Sequence, residues 1–381
     1  MTVDAMREIE DLVAFEGRAP GTDAERRAAV HLERRLRDLG RDAESEPTSI
    51  HPNYAVTHAL HALIAIVGSV LSVTAPLAGA ALVLVATVSA FGDLSGTFLL
   101  VRRLTGRRAS QNVTSTEGGD KPGLVILCAH YDAGRGGALR SPRAVERRAV
   151  AGRLLRRGLG PFEPFFWSML VILVCTTVRL AGLEGTPLTI VQFIPTVVLI
   201  ACIPLLVDIA LSDVQRGAND NASGVATVLR LAERYGGRLE HFDVWVVLPG
   251  GDDALLAGMR AWIRGHKREL DPERTVFVNV QGVGTGSVRW IEKEGAVAAM
   301  RYHPTLVELS EGIGDGAGIT SRETTSALAA RAAGFPAITI TARNALGYAR
   351  ERVDPDALEE SYEFCGALLE RLDASIGPEL A

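Results

Sequence analysis

The stretch Arg216-Gly217-Ala218-Asn219-Asp220-Asn221-Ala222-Ser223-Gly224 decides how this chain is read. It is a turn of small residues carrying one acid, Asp220, and it runs into Val225-Ala226-Thr227-Val228-Leu229-Arg230-Leu231-Ala232, an apolar pattern at helical spacing. Short side-chain oxygens accept the first N–H groups of a helix, so a cap is expected at Asn221 or Ser223. The positive end of the helix dipole favours an ionised carboxylate beside it. Upstream, Leu124-Val125-Ile126-Leu127-Cys128-Ala129 reads as a buried strand ending in His130-Tyr131-Asp132. Downstream, Val244-Trp245-Val246-Val247-Leu248 is another, ending in Gly250-Gly251-Asp252-Asp253. His130, Asp220 and the pair Asp252-Asp253 are thereby delivered to one edge, and open α/β sheets form their sites at the carboxyl ends of strands.

Working outward, Val3 to about Leu39 reads as two amphipathic helices broken at Gly17–Gly21, with Gly40 as a stop. Past Ser212, helices at Val225–Tyr235 and Ala254–Lys267 alternate with strands at Phe242–Leu248, Thr275–Val280 and Ala337–Thr341, and Asp356 to about Ile376 closes as a helix. The expected fold class is α/β, a mostly parallel sheet with helices on both faces. Two stretches interrupt it. Between Ala55 and Leu99 only Asp93 is charged, and a turn at Thr74–Gly79 halves the segment. Pro164 to Leu183 holds only Arg179, and Pro187 to Val207 holds no charge. A bilayer span takes about 20 apolar residues, so each stretch reads as a transmembrane helical hairpin. The expected organisation is 1–54, 105–160 and 212–381 as one domain, interrupted by hairpins at 55–104 and 161–211.

Arg102, Arg103, Arg107 and Arg108 follow the first hairpin; Arg140, Arg143, Arg147, Arg148, Arg153, Arg156 and Arg157 precede the second. Positive flanks favour the cytoplasm, which predicts a multi-pass protein of four helices with its soluble domain cytoplasmic. Anionic lipid headgroups are the simpler partner for the Arg140–Arg157 run. A net charge of -5 gives no whole-chain basic signature for nucleic acid. Cys128, Cys175, Cys202 and Cys365 are widely spaced in apolar surroundings and read as buried thiols rather than a disulfide framework. Met1-Thr2-Val3-Asp4 lacks a basic and apolar leader pattern, so no cleaved signal peptide is expected.

HxD after a strand, GAxDNxSG before a helix and a paired acid after the next strand resemble the di-zinc aminopeptidases, peptidase family M28. Gly17-Arg18-Ala19-Pro20-Gly21-Thr22, Gly334-Phe335-Pro336-Ala337-Ile338 and Arg352-Val353-Asp354-Pro355 resemble that family's opening and closing segments. The resemblance implies two zinc ions bridged by an Asp, one also held by the HxD His and a later Asp, the other by a Glu and a late His. It puts His130 and Asp220 on retained ligand positions and Asp132 behind His130 as the carboxylate that orients it. Elsewhere this sequence departs. The paired glutamates are Asp252, in the general-base position, and Asp253, in a ligand position; Gln281 and Asn344 fall on the later Asp and late His, and Thr325-Ser326-Ala327 replaces a Ser-Asp-His segment. Amide oxygens bind zinc poorly beside His, Cys and carboxylate, so at most one zinc is expected, on His130, Asp220 and Asp253, with Gln281 and Asn344 doubtful ligands. His303, Glu292 and Glu323 are further candidates to substitute in space. Two functions compete: a metallo-exopeptidase in which Asp252 takes the proton of zinc-activated water, and a non-catalytic relative that binds a peptide or membrane-presented protein.

Overall fold

The computed structural model describes residues 3–155, 158–343 and 351–375. In chain order the first elements are α1 (Ala5–Val13), α2 (Asp23–Asp38), β1 (Glu44–Ile50), α3 (Tyr54–Leu71) and α4 (Pro76–Ser95). There follow β2 (Arg108–Ser115), β3 (Gly123–Cys128), α5 (Pro142–Leu155), α6 (Glu163–Leu180) and α7 (Thr186–Leu211). The third group is α8 (Ser223–Tyr235), β4 (Phe242–Leu248), α9 (Ala257–His266), β5 (Thr275–Val280), β6 (Ser287–Glu294) and β7 (Met300–Arg301). Last come α10 (Pro304–Glu311), β8 (Ile319–Ser321), α11 (Ser326–Ala332), β9 (Ala337–Arg343) and α12 (Pro355–Ser375).

Runs such as Leu124–Cys128 and Thr275–Val280 are apolar on both pleat faces, which suits strands covered above and below. They form the middle of one sheet ordered β1-β2-β4-β3-β5-β9-β6-β7, with β8 paired to β6. The central four, β4-β3-β5-β9, are parallel, whereas β1, β2 and β6 join antiparallel. The sheet is therefore mixed, with its parallel core at the strands that carry the site and a further parallel pair, β6 with β8, toward the edge. One face is covered by α1, α2, α8 and α12 around Leu32, Leu36, Val228 and Leu368; the other by α9 and α11 around Met259, Trp262 and Phe335.

The helices α3, α4, α6 and α7 are each long and apolar enough to cross a membrane. They pack as a bundle, α3 on α4 and α7, α6 on α4 and α7, around Ala62, Val83, Ala86, Met169, Ile172 and Leu199. Large apolar side chains point outward from it, among them Leu77 at 70% exposure and Phe193 at 65%. The bundle meets the sheet domain at the strand edge, where Leu255, Ala296 and Val297 join its core. Polar contacts fasten this junction. Arg102, buried, donates to Asp93 Oδ1 (2.8 Å), His51 O (2.8 Å) and Ala254 O (2.7 Å). Arg322 pairs with Glu163 at the head of α6 (3.3 Å).

Two local expectations are corrected. Residues Ala218–Ala222 form one π-helical turn continuous with α8, and neither Asn221 nor Ser223 caps that helix: Ser223 Oγ donates to Asn219 O (2.7 Å), and Asn221 is engaged with Arg18 and Asp132. The helix expected from Ala254 starts only at Ala257, because Leu255 (φ 59°) and Leu256 (φ 61°) both adopt the left-handed conformation. Such a conformation costs a non-glycine residue roughly 1–2 kcal/mol. Burial of both leucines, the Leu256 N–H bond to Asp252 O (2.8 Å) and Arg102 on Ala254 O hold it.

Candidate functional site

The carboxyl ends of β3, β4 and β5 lie side by side, so the residues that follow them converge. His130, Asp220, Asp252, Asp253 and Gln281 line one cavity of about 90 Å³. Asn344 lies outside the described residues, as do Arg156 and Arg157. Glu323 also lines the cavity, whereas His303 starts α10 and Glu292 sits within β6. Two glycines let the backbone close up here. Gly217 is left-handed (φ 66°), and a Cβ on Gly224 would come within 2.2 Å of Val280 O, so α8 can lie against β5 only without one.

Asp132, fully buried, organises the floor. Its Oδ1 stands 3.4 Å from His130 Nδ1 and accepts from the N–H of Asp252 (3.0 Å), while Oδ2 accepts from the N–H of Asp253 (2.9 Å). The carboxylate thus orients the imidazole and also fixes the turn after β4. Its backbone oxygen accepts from Asn221 Nδ2, whose Oδ1 accepts from buried Arg18 (2.8 Å); Arg18 Nε donates to Tyr131 O (2.9 Å). Burial lowers the Arg18 guanidinium to about 10, against the pull of Asp132, Glu351 and Asp220. Arg18 therefore ties the HxD turn to the Asp220 turn, a role that a surface-like Gly-Arg-Ala-Pro-Gly segment did not disclose.

Burial works against a charged His130, yet the hydrogen bond and charge of Asp132, with Asp220 and Asp252, outweigh it and raise the imidazole to about 9. Burial, and then the charge of Asp132, push Asp252 up to about 6.

The opposite side of the cavity differs from the expectation. Asp252 accepts from Met259 N–H (2.8 Å) through Oδ1 and from Ser326 Oγ–H (2.6 Å) through Oδ2, so both oxygens are spent on holding α9 and α11. Asp253 faces Arg140, whose guanidinium lies 3.1 Å from its Oδ1 and donates to Tyr54 Oη (2.8 Å). Arg140 and Arg148, two of the arginines expected at lipid headgroups, line the cavity. Gln281 presents a neutral amide whose Oε1 is buried without a hydrogen-bond partner among the described residues. Among those residues, no three His, Cys, Asp or Glu side chains gather closely enough to hold a metal ion. A carboxylate neutralised by arginine, one bonded twice within the fold and an amide do not fit the zinc that the fold implies.

The roof comes from the apolar bundle. Tyr54 at the start of α3, Phe162 before α6 and Ile209 near the end of α7 all line the cavity. The structure thus brings three helix ends of the bundle onto this edge.

The profile of Peptidase family M28 matches residues 206–341, from the end of α7 through most of β9. Solved structures extend the likeness across the chain. An aminopeptidase from Aneurinibacillus sp. strain AM-1 is similar at 13% identity over 100% of this chain and 96% of that one, with a TM-score of 0.55. The fold is that of the M28 peptidases. A glutaminyl cyclase from Fimbriiglobus ruber matches at 13% identity, 97% and 96% coverage and TM-score 0.55. BSAP, a zinc aminopeptidase from Bacillus subtilis, matches at 12% identity, 98% and 97% coverage and TM-score 0.52. No curated protein sequence matches. The M28 fold thus hosts hydrolysis in some of these relatives and cyclisation in another, and the site must decide the activity.

Proposed function

We propose that this chain is a membrane-embedded protein of M28 fold that binds a peptide segment presented at the cytoplasmic bilayer surface, and that it does so without zinc hydrolysis. The observation that carries this reading is the ion pair of Arg140 with Asp253: a cation of the chain's own stands at an expected metal ligand and is anchored to Tyr54 on the first apolar hairpin. The outward rows of exposed Leu, Val, Ile and Phe on four long helices support bilayer insertion, because soluble proteins rarely leave so large an apolar patch uncovered. The helix ends that roof the cavity support a ligand arriving along the membrane. Asp220 and Glu323, with Arg148 in the same lining, suit the two ends of a zwitterionic backbone.

A hydrolytic alternative draws on one feature: His130 and Asp220 share the cavity, as the family ligands do. The test is exopeptidase assay of the purified full chain on a panel of aminoacyl fluorogenic substrates with zinc added. No turnover above that of Asp220→Ala is expected; turnover lost in that variant alone would restore the enzyme. Impermeant thiol labelling in intact cells checks placement: a cysteine at Ser141 should be spared and one between Leu183 and Thr186 labelled. The reverse pattern would invert the orientation.

A further inference from the structure

A second cavity lies outside the site, between the point where the first hairpin leaves the bundle and the outer face of α9. It is a groove of about 850 Å³ lined by His51, the segment Ser95–Leu99 and one side of α9. Six cations face it: Arg102, Arg103, Arg107, Arg260, Arg264 and Lys267, with no acid in the lining. Arg102 is neutralised by Asp93. Among the described residues, none of the other five has a carboxylate within ion-pair distance; Arg107 reaches only Ser49 Oγ (3.0 Å), Arg264 the carbonyl of Arg260 (3.2 Å) and Lys267 that of Ala333 (3.2 Å). Arg260 feels the charges of Asp93 and Asp252, but Arg103, Arg107, Arg264 and Lys267 gather in one concavity with no ion-pair partner among the described residues, which is costly by mutual repulsion.

The position of the groove says what offsets that repulsion. Arg260 lies against Gly96, at the C-terminal end of α4, so the cations start where the apolar hairpin stops. The segment linking them exposes apolar side chains amid the arginines: Phe98 at 38%, Leu100 at 46% and Leu104 at 83%. Phe98 and Leu99 also line the groove, next to Ile263 and Leu328. Alternating arginine and exposed large apolar residues at a span's end suits the zone where phosphates meet acyl chains.

We propose that this groove is a binding site for the phosphate-bearing headgroup of an anionic phospholipid, with Arg103, Arg260, Arg264 and Lys267 around the phosphate and the Phe98 edge against the first acyl carbons. The inference rests on the membrane placement above and not on what the M28-type site does. An acidic protein segment could satisfy the charges but would leave the apolar edge without a partner. The bound lipid would brace α9, whose first turn follows Asp252-Asp253, and would bridge the bundle to the sheet domain.

The test is native mass spectrometry of the full chain released from nanodiscs of phosphatidylcholine with or without phosphatidylglycerol. The wild type should retain phosphatidylglycerol selectively, and Arg260→Gln/Arg264→Gln should weaken retention roughly twenty-five-fold, about fivefold for each charge removed. Because Arg260 also braces α4, Arg103→Gln/Arg264→Gln is the second variant and should fall by a similar factor. Equal retention in wild type and both variants would overturn the site. Displacement by millimolar inorganic phosphate as effective as by short-chain phosphatidylglycerol would overturn the lipid in favour of free phosphate. Displacement by an acidic peptide but not by that lipid would overturn it in favour of a protein. Alkaline-carbonate extraction of each variant separates the two readings: a chain released from membranes contradicts the membrane placement, whereas one that stays inserted and still holds the lipid contradicts only the groove.

Discussion

The two walls of the cavity hold their charged groups in different ways. On the β3 side, His130, Asp132, Asn221 and Arg18 form a closed set of hydrogen bonds around the Asp220 turn. On the β4 and β5 side, Asp252 is absorbed into the packing of α9 and α11, Asp253 is held by Arg140, and Gln281 offers only an amide. The first wall's groups bond to one another and to its own turns; the second wall's acids are bonded to other elements of the fold. The comparison shows that hydrogen bonds at the first wall also hold its turns together, whereas those at the second tie single side chains to neighbouring elements.

The largest effect should come from the first wall. Asp132→Ala leaves two buried N–H groups and the His130 imidazole without their acceptor, a loss of about 3–5 kcal/mol. Thermal melting in detergent reads it, and a melting temperature equal to wild type would break the comparison.

A smaller effect follows from pH. Burial, with the charge of Asp132 second, raises Glu25 from 4.5 to about 8, and burial raises Glu294 from 4.5 to about 7. Both groups bind the proton more tightly when folded, so their stabilisation is complete below pH 4.5 and is lost as pH rises through 7 and 8. His130 and Asp252, also raised, share that sign. Melting temperature should therefore fall between pH 6 and pH 9 (values bracketing these shifts, about 6 to about 9), and Glu294→Gln should flatten part of the slope. A rise over that interval would contradict the buried, protonated carboxyls.

The smallest effect belongs to the second wall. Tyr54→Phe removes one hydrogen bond to Arg140 and should cost about 1 kcal/mol, with folding otherwise unchanged. A loss as large as that of Asp132→Ala would mean that the second wall also carries the fold.

Central strands were legible because both of their faces are buried and their sequences are unbroken apolar runs, as in Leu124–Cys128. The flanking strands were not. In β1, Glu-Ser-Glu-Pro-Thr-Ser-Ile holds a proline and two acids, and β2 is mostly polar; each is a strand through its partner rather than through its own pattern. Among site residues, His130 and Asp220 were visible through their motifs. Arg140 was not: within a run of arginines nothing in the local sequence distinguishes the one that turns inward, and only the folded position of Tyr54 and Asp253 selects it. Ser326 was hidden too, because its role is a bond to Asp252 across the sheet edge.

The central claim is that the cavity keeps the scaffold of a metal site without its donor set. The direct measurement is zinc content of the full chain after dialysis against trace zinc, beside the variant Arg140→Ala/Gln281→Asp, which removes the arginine from Asp253 and adds a carboxylate. The account predicts substoichiometric zinc in the wild type and a gain of bound zinc in the variant. Two firmly held zinc ions per wild-type chain would contradict it.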